Sequence, residues 1–135
     1  DFSNEMRKHL KIPILLTGGF RSRDAMTNAI ESGATDLIGI GRPMCVLTDA
    51  PKRIFTGLKE LPRYENRLAF FPSWLSFLLK FQSFKTIASF GIQFWFYAQL
   101  DTIGKKGRED LELSPIRATF KILKLQRSWI SKRKR

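Results

Sequence analysis

The feature that most constrains this chain is an order repeated between residues 12 and 43: a short apolar run followed by a glycine-rich turn. Ile12-Pro13-Ile14-Leu15-Leu16 carries no polar alternation and ends in Thr17-Gly18-Gly19. Such a run predicts a strand covered on both faces, as in a parallel sheet. Ser22 then suits a helix N-cap, and Asp24 falls in the first turn. Ala25, Met26, Ala29 and Ile30 recur at helical spacing, and Gly33 is placed to close the helix. Asp36-Leu37-Ile38-Gly39-Ile40 predicts a second covered strand, ending in Gly41-Arg42-Pro43. Strand, turn, helix, strand and turn make one βαβ unit of about 30 residues with a right-handed crossover.

The flanks are helical in pattern. Residues 3–11 read as a helix with basic residues in its last turn, stopped by Pro13. Thr48 or Asp49 is placed to cap a short helix with Pro51 near its start and Gly57 past its end. Beyond Leu61 the style changes. Residues 68–100 are rich in Phe, Trp and Leu and read as helical, with Trp74, Phe77, Leu78 and Phe81 on one face. Gly104 to Asp110 reads as a polar loop. Ser114-Pro115 opens a last helix with Ile116, Phe120, Leu123 and Trp129 on one side, ending in Lys132-Arg133-Lys134-Arg135. No internal repeat is visible.

Charge is distributed unevenly. Of a net +12, residues 116–135 contribute +8, with eight basic residues and no acidic one. A high pI that belongs to one end does not describe a nucleic-acid footprint, and no nucleic-acid partner is expected. The single cysteine, Cys45, cannot form an internal disulfide, which favours a reducing, cytoplasmic setting. The chain opens on Asp1 with no leader pattern, so it reads as the middle of a longer polypeptide. The longest uncharged run, Thr86 to Leu100, has fifteen residues, short of the ~20 a spanning helix needs. A packed helical layer is therefore expected before an interfacial amphipathic helix or other membrane association. No zinc-ligand spacing and no Ser/His/Asp arrangement occurs. His9, flanked by Lys8 and near Lys11, reads as solvated. Cys45 reads as a small buried residue rather than a reactive thiol.

The chemistry lies in the two glycine-rich turns. Both follow the C-terminal ends of predicted strands, the edge at which α/β sheets bind ligands. Gly18 and Gly19 let the backbone approach an anion closely, and the amides of Gly19 and Phe20 can meet phosphate oxygens. The helix starting near Ser22 would add its positive end. Gly41 again permits close approach, and the Arg42 guanidinium matches phosphate geometry. The candidate binding set is Gly18, Gly19, Phe20, Gly41 and Arg42. On physics alone FMN, a sugar phosphate and a nucleotide all fit, and Gly33 and Gly39 read as structural.

The strings I-P-I-L-L-T-G-G-F-R-S (12–22) and T-D-L-I-G-I-G-R-P (35–43), followed by M-C-V-L-T-D-A-P (44–51), resemble the old yellow enzyme family of NADH:flavin oxidoreductases. W-F-Y-A-Q-L and its following loop resemble the C-terminal extension of one subfamily. The resemblance implies an α/β fold: the last two βα units of a (β/α)₈ TIM barrel in residues 1–60, then a helical extension with a basic tail in residues 61–135. It implies non-covalent FMN, held at its phosphate by the five residues above. It also implies NADH or NADPH as hydride donor, and an activated alkene or related small molecule as acceptor. The family's catalytic Tyr, its substrate-holding His pair or His/Asn pair, and its flavin-tuning Thr or Cys come from earlier strands, so no catalytic residue is expected here. Two strands cannot close an eight-stranded barrel, so the isolated chain is expected to be partly molten and to hold FMN poorly. The competing reading is a basic amphipathic membrane-surface or interaction module whose glycine turns are purely structural.

Overall fold

The computed structural model describes residues 2–133, so Asp1 and the Lys134-Arg135 end of the basic run lie outside the described residues. The chain divides into two compact units, Asp1–Arg63 and Tyr64–Arg135.

In the first unit, α1 (Phe2–His9) precedes β1 (Leu15–Thr17), α2 (Arg23–Glu31), β2 (Leu37–Gly39), a 3₁₀ turn (Arg42–Cys45) and α3 (Ala50–Phe55). The two strands pair in parallel with Leu15 opposite Leu37 and Thr17 opposite Gly39. The predicted βαβ order is thus present, as a mixed helical unit around a small parallel sheet. Ser22 caps α2, its Oγ accepting from the Ala25 amide at 3.3 Å. Gly33 closes the helix at φ +71°, a conformation a Cβ disfavours. Asp49 is the N-cap residue of α3 but gives no side-chain cap; its carboxylate instead pairs with Arg53 one turn on, at 2.9 Å.

Buried Thr35 joins the strands: its hydroxyl donates to the Ile14 carbonyl (2.7 Å) and accepts from the Leu16 amide (3.1 Å). Asp36 accepts from the Ile14 amide at 2.7 Å and from Arg7 Nη2 at 2.6 Å. The Ile14 amide and then the Arg7 guanidinium hold its carboxyl below the usual carboxylate range. Arg7 also donates to the Gly33 carbonyl, so α1 is tied to the loop that leads into β2.

One expectation fails here. The strands were expected to be covered on both faces, yet Leu15 is 58% and Leu37 55% exposed. Leu15 and Leu37 lie opposite one another and so point to one face of the sheet, which this unit leaves uncovered. What it does cover is a small core of Met26, Ala50, Ile54 and Leu61, with Phe20, Ile38, Ile40 and Met44 against it. Full burial of a side chain such as Leu61 contributes ~1.5–3 kcal/mol.

The second unit carries short 3₁₀ segments (Tyr64–Arg67, Ser73–Lys80), α4 (Gln82–Lys106) and α5 (Pro115–Arg133). Helix does not run continuously from 68 to 100, and Trp74, Phe77 and Phe81 of the predicted face are exposed. Nor does the polar loop begin at Gly104. That glycine lies within α4, and the helix ends at Gly107, in the left-handed region at φ +70°. Trp95, Phe96, Ala98 and Gln99 of α4 are buried. Trp95 Nε1 donates to the Leu113 carbonyl (2.7 Å), and the Gln99 amide makes two bonds to the Asp110 backbone (2.7 and 2.8 Å), which fastens the α4–α5 loop onto α4. Lys121 of α5 reaches Thr102 Oγ1 at 2.7 Å and Asp101 at 3.0 Å. Lys105, with Lys121, holds the Asp101 carboxyl low.

Ser114 begins α5 as read, its Oγ accepting from the Arg117 amide at 3.3 Å. The packed face does not match the sequence reading. Pro115, Ala118 and Ile122 are buried, whereas Ile116, Phe120, Leu123 and Trp129 are exposed. α5 has two apolar stripes, and the smaller residues form the inner one because they let the helices approach closely.

Candidate functional site

The site is built where the chain leaves β1 and β2. Past Thr17 the backbone enters two consecutive positive-φ residues, Gly18 (+133°) and Gly19 (+72°), a path that residues with a Cβ rarely take. Apart from the adjoining residues, no atom of the described residues lies within 4 Å of where a Cβ on Gly18, Gly19 or Gly41 would stand, so the space in front of both turns is open. Thr17 Oγ1 donates to the Gly39 carbonyl at 3.2 Å and holds the two strand tips side by side. Gly39 itself is structural: a Cβ there would stand 2.8 Å from Thr17 Cβ.

Beyond β2 the chain turns immediately into its 3₁₀ segment. The Gly41 carbonyl accepts from the Met44 amide at 2.9 Å and is therefore committed to that turn. Pro43 is buried beneath it, and Arg42 is exposed above it.

Residues 59–61 pin the exit of the first turn. Leu61 donates to the Arg21 carbonyl and Arg23 to the Lys59 carbonyl, both at 2.8 Å, so that Ser22 and Glu60 form an antiparallel bridge. Leu61 is buried in the core, which anchors this clasp.

The five sequence-selected residues come together. Gly18, Gly19, Phe20, Gly41 and Arg42 line one hollow of about 210 Å³, with Thr17, Arg21, Gly39 and Ile40. Its volume is below the ~300–1,000 Å³ of a pocket for a whole drug-sized ligand, so it suits one end of a larger molecule. The first turn of α2, Ser22 and Ala25, lines an adjoining hollow of about 360 Å³, which shares Gly18 to Arg21 and adds Glu60 and Arg63. The positive end of α2 therefore faces the neighbouring hollow, not the one between the two glycine turns.

Arg21 was not selected from the sequence. It is buried, lines both hollows, and donates from Nη1 to the Phe20 carbonyl at 3.0 Å. A basic residue directly after Gly-Gly-Phe was the available signal. Its burial could not be read without the clasp from residues 59–61.

The other candidates stay apart. His9 is exposed on α1, 3.7 Å from Glu5. Cys45 is half-buried, Sγ 3.9 Å from the Gly41 carbonyl, and burial pushes its thiol pKa up, which suits an unreactive side chain. Among the described residues no cluster of His, Cys, Asp or Glu could hold a metal ion, and no helix is long and apolar enough to cross a membrane.

The chain is 31% identical over 109 residues to the NADH-dependent flavin oxidoreductase iccE of Talaromyces variabilis, a match covering 80% of this chain and 26% of the relative. It is 44% identical over 43 residues to iliE of Hypocrea jecorina, also an NADH-dependent flavin oxidoreductase, across 32% of this chain and 11% of that protein. The cinnamate reductase of Clostridium sporogenes is 32% identical over 54 residues, 40% of this chain and 8% of the relative. These relatives support an old yellow enzyme-like family for the chain.

No family model matches the chain, and no solved structure matches it significantly. The chain spans about a quarter of the length of iccE, at 26%.

Proposed function

We propose that this chain supplies the FMN-phosphate end of the active site in an NAD(P)H-dependent flavin oxidoreductase of the ene-reductase kind. Residues 1–60 form the last two βα units of its TIM barrel, and residues 61–135 a helical extension. The observation that carries the reading is that two glycine turns, separated by a whole helix and strand in sequence, open onto one hollow with Arg42 at its rim. Further support comes from the exposed apolar strands, whose composition suits a sheet covered on both faces.

The residues fit the group. Gly18 and Gly19 take a backbone path open to close approach, and nothing of the protein stands in front of them. Arg42 brings a permanent positive charge matched to a phosphate dianion. Phe20 lines the same hollow, and its amide would serve beside that of Gly19. FMN, when bound, would accept hydride from NADH or NADPH and pass it to an activated alkene or related acceptor. The part played by this chain is to bind and orient, and the groups that handle protons and substrate are assigned to the rest of the barrel. The lone, half-buried cysteine suits a reducing cytoplasmic setting.

The test is flavin retention by the parent polypeptide that carries these residues. Arg42→Ala removes a charge-assisted contact of ~1.5–3 kcal/mol, so FMN should bind roughly 10- to 150-fold more weakly, measured by quenching of flavin fluorescence. Unchanged retention would show that the clamp is misassigned.

A further inference from the structure

We propose that the outward face of α5 docks the protein on an anionic lipid surface; this rests on a different unit from the flavin site and does not depend on it. α5 buries Ala118 and Ile122. Ile116, Phe120, Leu123 and Ile130 stand exposed, Phe120 by 69% and Ile130 by 58%. At 100° per residue these four fall within an arc of about 80°, on the side of the helix away from the buried pair. The outward stripe is therefore a second apolar face of the same helix, exposed most at Phe120 and Ile130.

The charges around it choose the occupant. Arg117 and Lys124 border the stripe, Arg127 lies within it, and residues 113–135 contain no acidic residue at all. A second copy of the chain would set like charges against like across the interface, with no acid on α5 to pair them. Nucleic acid would meet the basic residues but has no use for three exposed aliphatic side chains. An anionic bilayer takes both: headgroup phosphates meet Arg117, Lys124 and Arg127, while Ile116, Phe120, Leu123 and Ile130 enter the acyl boundary. The helix has 19 residues and is too charged to span, so it lies in the plane of the surface.

Co-sedimentation of the parent polypeptide with phosphatidylglycerol–phosphatidylcholine vesicles, compared with pure phosphatidylcholine vesicles, tests this. It should pellet with the anionic vesicles only, and added salt should release it. Phe120→Ser with Ile130→Ser should lower partition by about tenfold or more. Arg117→Ser, Lys124→Ser and Arg127→Ser together should remove the preference for anionic lipid. All five positions are exposed, so the helical circular dichroism signal should be kept. Phe55→Ser, at a still more exposed apolar residue of the other unit, should leave partition unchanged and so separates docking from general stickiness. Equal pelleting with neutral vesicles, no loss in the Phe120/Ile130 variant, or an equal loss in Phe55→Ser would overturn the proposal. So would self-association or nucleic-acid binding without vesicle binding.

Discussion

Replacing Gly19 with valine is expected to weaken FMN binding by the parent polypeptide by at least about tenfold while leaving its fold in place. Gly19 sits at φ +72°, where a β-branched residue is strained. Holding such a residue there costs ~1–3 kcal/mol, and the turn would relieve that cost by changing shape. Strain of this size alone corresponds to roughly 5- to 150-fold in affinity if the bound shape has to be restored. The valine side chain would also occupy the space in front of the turn, which no protein atom fills. That same open space is why the fold should survive, since a Cβ there meets no atom beyond the adjoining residues. Flavin fluorescence titration, with circular dichroism as the check on folding, reads both effects. Full FMN affinity in the Gly19 variant would mean that no ligand approaches this turn.

Trp95→Ala is expected to be the most damaging single change to the second unit. Trp95 is 1% exposed, meets Phe96 edge-on at 5.2 Å between ring centroids, and donates to the Leu113 carbonyl. Truncating a buried Trp costs ~3–5 kcal/mol. The change also leaves the Leu113 carbonyl without this donor, at the point where the chain turns into α5. For a unit of this size, the loss corresponds to a fall in Tm of roughly 15 °C or more. Trp129→Ala should move Tm little, because that ring is exposed and makes no comparable anchor. Thermal melts followed by helical circular dichroism compare the two directly, and equal shifts would show that Trp95 does not hold the helix pair.

What could be read without coordinates was mostly local. Ser22, Gly33 and Ser114 act at helix ends through contacts spanning a few residues, and each stands where its chemistry placed it. The five turn residues were legible for a related reason: a glycine after a buried-type strand has few uses, and two such turns in one βαβ unit must end on the same sheet edge. Gly104 misled because glycine is tolerated within a long helix at a cost of ~1 kcal/mol, and only the left-handed Gly107 marks the real end of α4. The α5 stripe misled because periodicity reports that an apolar face exists, not which of two faces meets a neighbour. The larger residues drew the eye, whereas Ala118 does the packing. Strand burial misled for a third reason. The composition of Leu15 and Leu37 describes the environment these strands suit, and the unit by itself does not provide it. Arg21 depended on a long-range clasp with Leu61 that no local pattern encodes.

FMN and riboflavin differ only by the phosphate, so comparing their affinities for the parent polypeptide is the most direct test of the two-turn clamp. With Gly18, Gly19, Phe20, Gly41 and Arg42 gathered on that group, FMN should bind at least about a hundredfold more tightly than riboflavin, as several charge-assisted contacts act together. Equal affinities would mean that the hollow between the strand tips does not hold the phosphate.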